Sequence, residues 1–148
     1  MKLAYLLLLG FLCLSAAETV SAQSATYALC AACHAPDGKG MGAGTPAVMA
    51  PPLAGSKIAM HGDGELMASI VFTGIAKEDT RFLGMMTPLG PMMKDEELAE
   101  VLTFIRSNFG NEASAVEAAQ VKEWREKYQG KPMQQRATIE DAVEKRPE

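Results

Sequence analysis

Two thiols and an imidazole stand close together near the beginning of the chain, in the motif Cys30-Ala31-Ala32-Cys33-His34. If this segment is helical, Cys30 and Cys33 lie on the same face, because residues three apart are neighbours on a helix. His34 follows Cys30 by four residues and faces the same way. Both sulfurs can then reach the two vinyl groups of one porphyrin edge, with the imidazole beneath the iron. Cys-x-x-Cys-His is the attachment signature of a c-type haem.

Three other chemistries compete for these residues. A thioredoxin-like redox dithiol is expected within a βαβ unit, whereas no segment of this chain alternates apolar and polar residues as a strand would. A disulfide between Cys30 and Cys33 would close too small a loop to stabilise much. Zinc needs four ligands, and His61 would have to join Cys30, Cys33 and His34, although it stands alone rather than in a second ligand pair. Haem attachment is therefore the favoured interpretation.

The composition agrees with a small domain that gains from a bulky cofactor. Only 6% of the 148 residues are aromatic, so the core is poor in large rings. At about 100–200 residues per domain, the chain is one domain with an extension. A covalently held porphyrin would supply a large rigid apolar centre. The net charge of −4 argues against a nucleic-acid partner, which requires a basic face.

Residues 1–22 are predicted to be an export signal. Lys2 gives a positive start, residues 3–17 form an apolar run, and small residues lead to a cleavage point after Ala22. The run is short for a membrane-spanning helix, which needs about 20 residues, although an uncleaved anchor is the alternative. Cleavage would remove Cys13 and leave an even pair of cysteines, which suits an oxidising compartment. We therefore expect a periplasmic protein.

Three helices and no strands are predicted between residues 23 and 110. The third is the clearest, because its apolar residues follow the i, i+3, i+4, i+7 spacing of one buried face and its first turn is acidic, as the helix dipole favours. The connections at 35–62 and 75–94 are long, which is typical of loops with a function. The predicted helices span residues 24–34, with Ser24 as the N-cap, 63–73, with Asp63 as the cap, and 95–107.

The charged segment 111–148 is predicted to be a partly helical C-terminal extension. A helix is expected over residues 116–128, with Val121, Trp124 and Tyr128 on one side. Docking of that side onto the main domain is the simpler interpretation, and partner binding is the alternative. The polar residues 131–148 are expected to be mobile, with a short helix at 138–145.

Four segments, taken in their order and spacing, resemble the class I mono-haem cytochromes c. The resemblance covers about residues 24–110. It implies an all-α fold of three main helices around one covalently bound haem, with the first and last helices crossing so that Tyr27 approaches Phe104. The segments are Ala-Thr-Tyr-Ala-Leu-Cys-Ala-Ala-Cys-His at 25–34, Ala-Pro-Pro-Leu-Ala-Gly-Ser at 50–56, Gly-Met-Met-Thr-Pro-Leu-Gly at 84–90 and Asp-Glu-Glu-Leu-Ala-Glu-Val-Leu-Thr-Phe-Ile-Arg at 95–106.

The same resemblance implies roles for individual residues around the haem. Cys30 and Cys33 would hold it covalently, and His34 would be one axial ligand of the iron. The carbonyl of Pro51 would accept a hydrogen bond from Nδ1 of that imidazole, which fixes the ring and raises its basicity. Leu53 would pack on the porphyrin.

A methionine is the second axial ligand that the family implies, and four are candidates. Met92 and Met93 lie so close to the third helix that its start restricts where they can point. Thr87-Pro88 favours an extended backbone before it, in which the side chains of Met85 and Met86 point to opposite sides. The resemblance selects Met86, two residues before the Pro-Leu-Gly step, and leaves Met85 as the fallback.

An iron with both axial positions filled exchanges electrons and has no open site for a substrate. A thioether ligand raises its reduction potential. We therefore expect an electron carrier rather than an enzyme, moving single electrons between a dehydrogenase or quinol-oxidising complex and an oxidase. Its contacts with these redox partners would be small and short-lived. Two alternatives are a fixed haem c subunit of a larger dehydrogenase complex and a haem sensor or peroxidase with an open distal site. A membrane contact is expected only if the signal is retained.

Overall fold

The computed structural model describes residues 25–78 and 82–145, so the predicted signal at 1–22 and the Ser24 cap lie outside it. Within these residues the fold is all-α, as predicted: there is no strand, and the β pairing is limited to three isolated bridges. None of the helices described is long and apolar enough to cross a membrane. The helices are α1 (Ala28–His34), α2 (Lys57–Met60), α3 (Glu65–Thr73), α4 (Asp95–Ser107), α5 (Ala118–Tyr128) and α6 (Arg136–Lys145).

The first helix is composite. A 3₁₀ turn, Ala25–Tyr27, leads directly into α1, which covers the whole Cys-Ala-Ala-Cys-His motif and ends at His34. Ala35 terminates it with φ 63° and ψ 157°, a conformation that ordinary L residues rarely adopt. The cysteines and the histidine therefore share one short, sharply ended helix.

The second main helix begins two residues later than predicted. Gly64 precedes it with φ 102°, and this left-handed conformation prevents α3 from starting at Asp63. The side chain of Asp63 still helps the start, because its Oδ1 accepts a hydrogen bond of 3.0 Å from the backbone N–H of Glu65. Gly74, at φ 74°, ends the helix after Thr73.

The third main helix, α4, has the predicted bounds. Its stripe of Leu98, Val101, Leu102 and Ile105 is buried. The carboxylate of Glu97 accepts a hydrogen bond of 2.9 Å from the backbone N–H of Lys94, which satisfies one of the free donors at the helix start. This helix forms one wall of the main core.

The beginning of the domain meets its end through three aromatic rings. The rings of Tyr27 and Phe104 lie 5.2 Å apart between centroids, so the predicted approach of these residues is confirmed. Phe109 completes the group, 5.2 Å from Tyr27 and edge-on to Phe104 at 5.5 Å. The crossing with α4 is made by the 3₁₀ turn that precedes α1. Aromatic pairs at these separations add to the energy of burial.

The extension packs onto the domain. Helix α5 contacts α3 and α4 and buries Val121 and Trp124, in line with the docking expected from the sequence. It begins two residues after the predicted start of 116. Helix α6 contacts α2 and buries Ile139, and it begins two residues before the predicted 138. The short α2 within the first long loop was not predicted. The boundary proposed at residue 110 stays a prediction.

Candidate haem-binding site

Helix α1 carries both cysteines, and they are not joined in a disulfide. Cys30 is half-buried against the main core, and Cys33 is exposed. Burial, with a smaller contribution from neighbouring Cys33, raises the pKa of the Cys30 thiol to about 11. Both sulfurs lie on one short helix, as two thioether bonds to the same porphyrin edge require.

His34 is held in one orientation by the backbone of the following loop. Its Nδ1 lies 2.9 Å from the carbonyl oxygen of Pro51. Because a carbonyl can only accept, the proton must be on Nδ1, and Nε2 is left with its lone pair. Burial lowers the pKa of His34 against the opposing effect of this hydrogen bond, so the neutral imidazole is favoured. Neutral imidazole is the form that binds a metal.

The loop after α1 turns back tightly over the end of the helix. Its backbone donates from Gly40 to the carbonyl of His34 and from Met41 to that of Cys33, each at 2.9 Å. Gly40 has φ 92°, and a Cβ there would lie 2.4 Å from the carbonyl oxygen of Ala50. No side chain fits at Gly40, so glycine allows the loop to bring Pro51 back to the imidazole.

A ladder of backbone hydrogen bonds joins this loop to the one that carries the candidate methionines. Met49 donates to the carbonyl of Met41 at 2.9 Å, and Gly84 donates to that of Met49 at 3.0 Å. Leu83 donates to Val48 at 2.9 Å beside it. Two segments far apart in sequence are thereby held beside the end of α1.

The four candidate methionines differ in their surroundings. Met86 is half-buried and packs against the main core, whereas Met85 is 47% exposed. This difference is what opposite-pointing side chains on an extended segment would produce. Met92 is 70% exposed at the end of a 3₁₀ turn, and Met93 is half-buried beneath it. The axial role of Met86 stays a prediction.

Two further residues from the sequence analysis have defined places. Leu53 is half-buried against the main core, and its backbone N–H donates to the carbonyl of Gly38 at 2.7 Å. His61 follows α2, and its carbonyl accepts from Arg106 at 3.3 Å. Among the residues that the structure describes, no three His, Cys, Asp or Glu side chains are grouped to hold a metal ion, so a zinc set that includes His61 is not assembled.

The residues present fit a large apolar cofactor attached to α1. The oriented imidazole of His34 and the two cysteine side chains lie at one end of the paired loops. In the described part of the chain, the large apolar side chains that remain exposed belong to α1 or to the two long loops. They are Leu29, Met41, Met49, Leu83, Met85 and Met92.

Sequence reasoning missed three residues that tie the extension to this region. Arg125 donates to the carbonyls of Gly90 and Met93 in the loop that follows Met86. Gln134 donates to Thr73 beside Ile75, the residue that pairs with Met86, and Arg106 donates to Ser114 at the start of the extension. Two of them lie in a polar, charged tail without a recognisable motif, so no pattern distinguished them from solvated surface residues. Arg106 was visible only as a basic residue in the last turn of α4.

The fold and the site together define a small all-α protein of the c-type haem class. The family model for cytochrome c matches residues 21–109, and the chain belongs to the cytochrome c family. A comparison with curated proteins found no match. The cofactor is therefore covalently attached haem c, and the protein is a haem-containing electron carrier. When bound, haem c supplies a one-electron iron couple whose potential depends on its axial ligands.

Proposed function

We propose that this protein is a periplasmic carrier that moves single electrons between a dehydrogenase or quinol-oxidising complex and an oxidase. In this proposal Cys30 and Cys33 attach the haem, and His34 and Met86 are the axial ligands. The residues of the chain orient the cofactor and exclude substrates from the iron. Transfer would take place through the exposed edge of the porphyrin, in brief contacts with each partner.

The observation that carries the proposal is the hydrogen bond between His34 and Pro51. It fixes the imidazole ring, leaves the lone pair on Nε2 and makes the imidazole a stronger electron donor. Such a bond has no purpose in a redox dithiol at Cys30 and Cys33. It is the arrangement that a permanently ligated iron requires.

Met86 is favoured over Met85 because its backbone is fixed. Its N–H donates to the carbonyl of Ile75 at 3.0 Å, and its own carbonyl accepts from the N–H of Ile75 at 2.9 Å. A ligand held at both backbone groups leaves the iron less readily than one on a free loop. A filled sixth position supports electron transfer over the alternative of a sensor or peroxidase.

The axial ligand is tested by Met86→Ala with Met85→Ala as its matched control. Met86→Ala should abolish the weak red sulfur-to-iron band of the oxidised protein, allow carbon monoxide to bind the reduced protein and lower the reduction potential. Met85→Ala should keep the band. The reverse pattern would assign the ligand to Met85, and persistence of the band in both variants would exclude this pair.

Attachment and export are tested on the exported protein. Acid–acetone extraction of the denatured chain should leave the colour with the polypeptide. The mass should equal the chain from Gln23 plus one haem. A colourless exported chain with a Cys30–Cys33 disulfide, from cells able to attach haem, would contradict the proposal.

Carrier and fixed subunit are separated by fractionation. Packing of α5 onto α3 and α4 supports a free carrier, because the extension is then engaged with its own domain rather than available as a tether. The haem protein should elute alone from a periplasmic extract at low and at high salt. Elution with a dehydrogenase that persists at high salt would favour the fixed subunit.

A further inference from the structure

Arg125 of the extension forms hydrogen bonds with the loop that follows Met86. Its Nε donates to Oδ1 of Asp95 at 2.7 Å, and both side chains are about three-quarters buried. Its two Nη atoms donate to the carbonyl oxygens of Gly90, at 3.0 Å, and Met93, at 2.7 Å. The guanidinium thus holds both ends of the 3₁₀ turn between the methionine loop and α4. Hydrogen bonds from a charged donor are stronger than neutral ones.

Gln134 supports the same region from the other side. Its backbone N–H donates to the carbonyl of Gly74 at 3.1 Å, and its carbonyl accepts from the N–H of Ala76 at 3.0 Å. These two bonds flank Ile75, whose own N–H and carbonyl pair with Met86. The extension therefore adds a third strand-like segment to the short bridge that holds Met86.

The side chain of Met86 also packs against an apolar cluster to which the extension contributes a residue. Ile139 of α6 is 1% exposed and belongs to a small cluster with Ile70 and Ile75, against which Met86 packs. The amide of Gln134 fixes the edge of this cluster by donating to Oγ1 of Thr73 at 2.9 Å. The backbone and the side chain of Met86 are thus both supported by residues beyond 110.

We propose that the C-terminal extension positions the distal ligand, with Arg125 and Gln134 as its positioning residues. The inference rests on the proposed ligation by Met86. The extension keeps the methionine loop closed, so that the thioether stays in place and competing ligands are excluded. Both residues act through the loop and Ile75, and neither is a proposed ligand of the iron.

The closed state is measured by the affinity of the oxidised full-length haem protein for imidazole, which binds only when the thioether leaves. Arg125→Gln removes the charged donors to Gly90 and Met93, and should tighten imidazole binding at least about tenfold. The matched control is Lys127→Gln, since Lys127 also joins α5 to the domain, through Glu65 at 2.5 Å, without touching the loop. It should change the affinity by less than about twofold, even where it lowers the thermal midpoint, because exposed ion pairs are weak.

A second pair of variants tests the backbone contact. Gln134→Pro removes the N–H that binds Gly74 and should also tighten imidazole binding and weaken the sulfur-to-iron band. Gln134→Leu keeps that N–H and loses the side-chain amide, so its effect should be smaller. If Arg125→Gln does not fold, Arg125→Lys replaces it, because a single ammonium cannot bind all three acceptors and should give an intermediate shift.

The outcomes separate the inference from the function on which it rests. If Met86→Ala keeps the band, the ligand assignment and the inference fail together. If Met86→Ala loses the band while Arg125→Gln and Gln134→Pro bind imidazole like the parent protein, the inference alone is overturned. Equal shifts in Arg125→Gln and Lys127→Gln would also overturn it, because they would indicate general loosening of the extension.

Discussion

The hydroxyl of Tyr27 donates a hydrogen bond of 2.8 Å to the carbonyl oxygen of Ala35, on the far side of α1. Tyr27 is fully buried, and Ala35 is the residue that ends the helix carrying the attachment motif. One side chain therefore joins the aromatic group at Phe104 to the point where α1 stops. The ends of α1 are tied together independently of the cofactor.

We expect Tyr27→Phe to lower the free energy of unfolding by about 1–3 kcal/mol, because it leaves the carbonyl of Ala35 buried without its donor. The ring, and its packing on Phe104 and Phe109, is retained. Denaturant unfolding of the haem protein measures the change. A loss no larger than that caused by an exposed substitution would mean that water replaces the hydroxyl.

The same tyrosine makes stability depend on alkaline pH. Burial, followed by the nearby Cys30 and Asp37, raises its pKa from 10.0 to about 12. A thioether at Cys30 carries no charge, so in the haem protein burial is the main cause. Between these pH values the unfolded state binds fewer protons than the folded state, and the contribution of Tyr27 to stability is lost as the pH rises.

The difference in unfolding free energy between the parent protein and Tyr27→Phe should therefore be constant below pH 10 and shrink towards pH 12. Taking the difference cancels the pH dependence that other titratable groups give to both proteins. A difference that stays constant to pH 12, or grows, would show that Tyr27 titrates normally in the folded state.

Ala35→Gly should stabilise the protein. Ala35 has φ 63° and ψ 157°, a region that is costly for a residue with a Cβ, at about 1–3 kcal/mol. Glycine removes that strain and adds about 0.5–1 kcal/mol of entropy to the unfolded chain, which leaves a net gain. Ala32→Gly is the matched control, because Ala32 lies inside α1 and should lose about 0.5–1 kcal/mol. Equal losses in the two variants would contradict the strain.

The extent to which sequence predicted the fold depended on the kind of signal. Helix α4 has its predicted bounds because four apolar residues at helical spacing and three acidic residues at its start agree. The start of α3 was misplaced because Asp63 reads as a cap, and only the left-handed backbone at Gly64 shows that the helix begins later. The backbone conformation of one glycine does not change the periodic pattern of apolar residues, so the sequence does not reveal it.

For the candidate site too, the sequence suggested some residues and missed others. Cys30, Cys33 and His34 were proposed as haem-binding residues from the sequence because covalent attachment requires fixed spacing within one helix. The contacts of Arg125 and Gln134 were not, because they go mainly to backbone carbonyls and N–H groups of distant segments. Any residue type offers those groups, so the loop sequence contains no complementary pattern to predict the pairing.

Arg106→Met should be among the most destabilising single changes. Arg106 is fully buried, and its guanidinium donates to the carbonyls of Ala59 at 2.8 Å, Gly62 at 2.7 Å and Ser114 at 2.8 Å. Methionine keeps the packing of the aliphatic part of the side chain but leaves these carbonyls without a donor, and each unsatisfied acceptor costs about 1–3 kcal/mol of stability. We expect a loss of about 3 kcal/mol or more in denaturant unfolding.

Two variants calibrate this loss. Arg106→Lys keeps the charge but supplies fewer well-directed donors, so an intermediate loss is expected. Lys145→Met changes an exposed residue of α6 and should stay within about 0.5 kcal/mol of the parent. If Arg106→Met resembled Lys145→Met, the buried guanidinium would contribute nothing to joining the extension to the domain.

Gly90→Ala tests how closely the methionine loop packs on α3. A Cβ at Gly90 would lie 2.4 Å from Cδ1 of Phe72 and 3.1 Å from its Cα. Because the backbone of Phe72 is also in the way, a rotation of its ring cannot make room for the methyl group. Phe72 is buried beneath Arg125, whose guanidinium lies 5.0 Å from the ring centroid. Overpacking of this kind costs about 1–3 kcal/mol. The backbone must move, and with it the Gly90 carbonyl that Arg125 holds.

Gly84→Ala is the matched control, because Gly84 lies in the same loop and its added Cβ would meet the carbonyl oxygen of Met49 at 3.0 Å and the Sδ of that residue at 3.2 Å. Since these contacts are looser and one is to a flexible side chain, we expect a smaller loss of stability. Denaturant unfolding and the sulfur-to-iron band should be measured together. Gly90→Ala should lose both stability and band intensity, whereas equal behaviour of the two variants would mean that Phe72 does not fix the position of the loop.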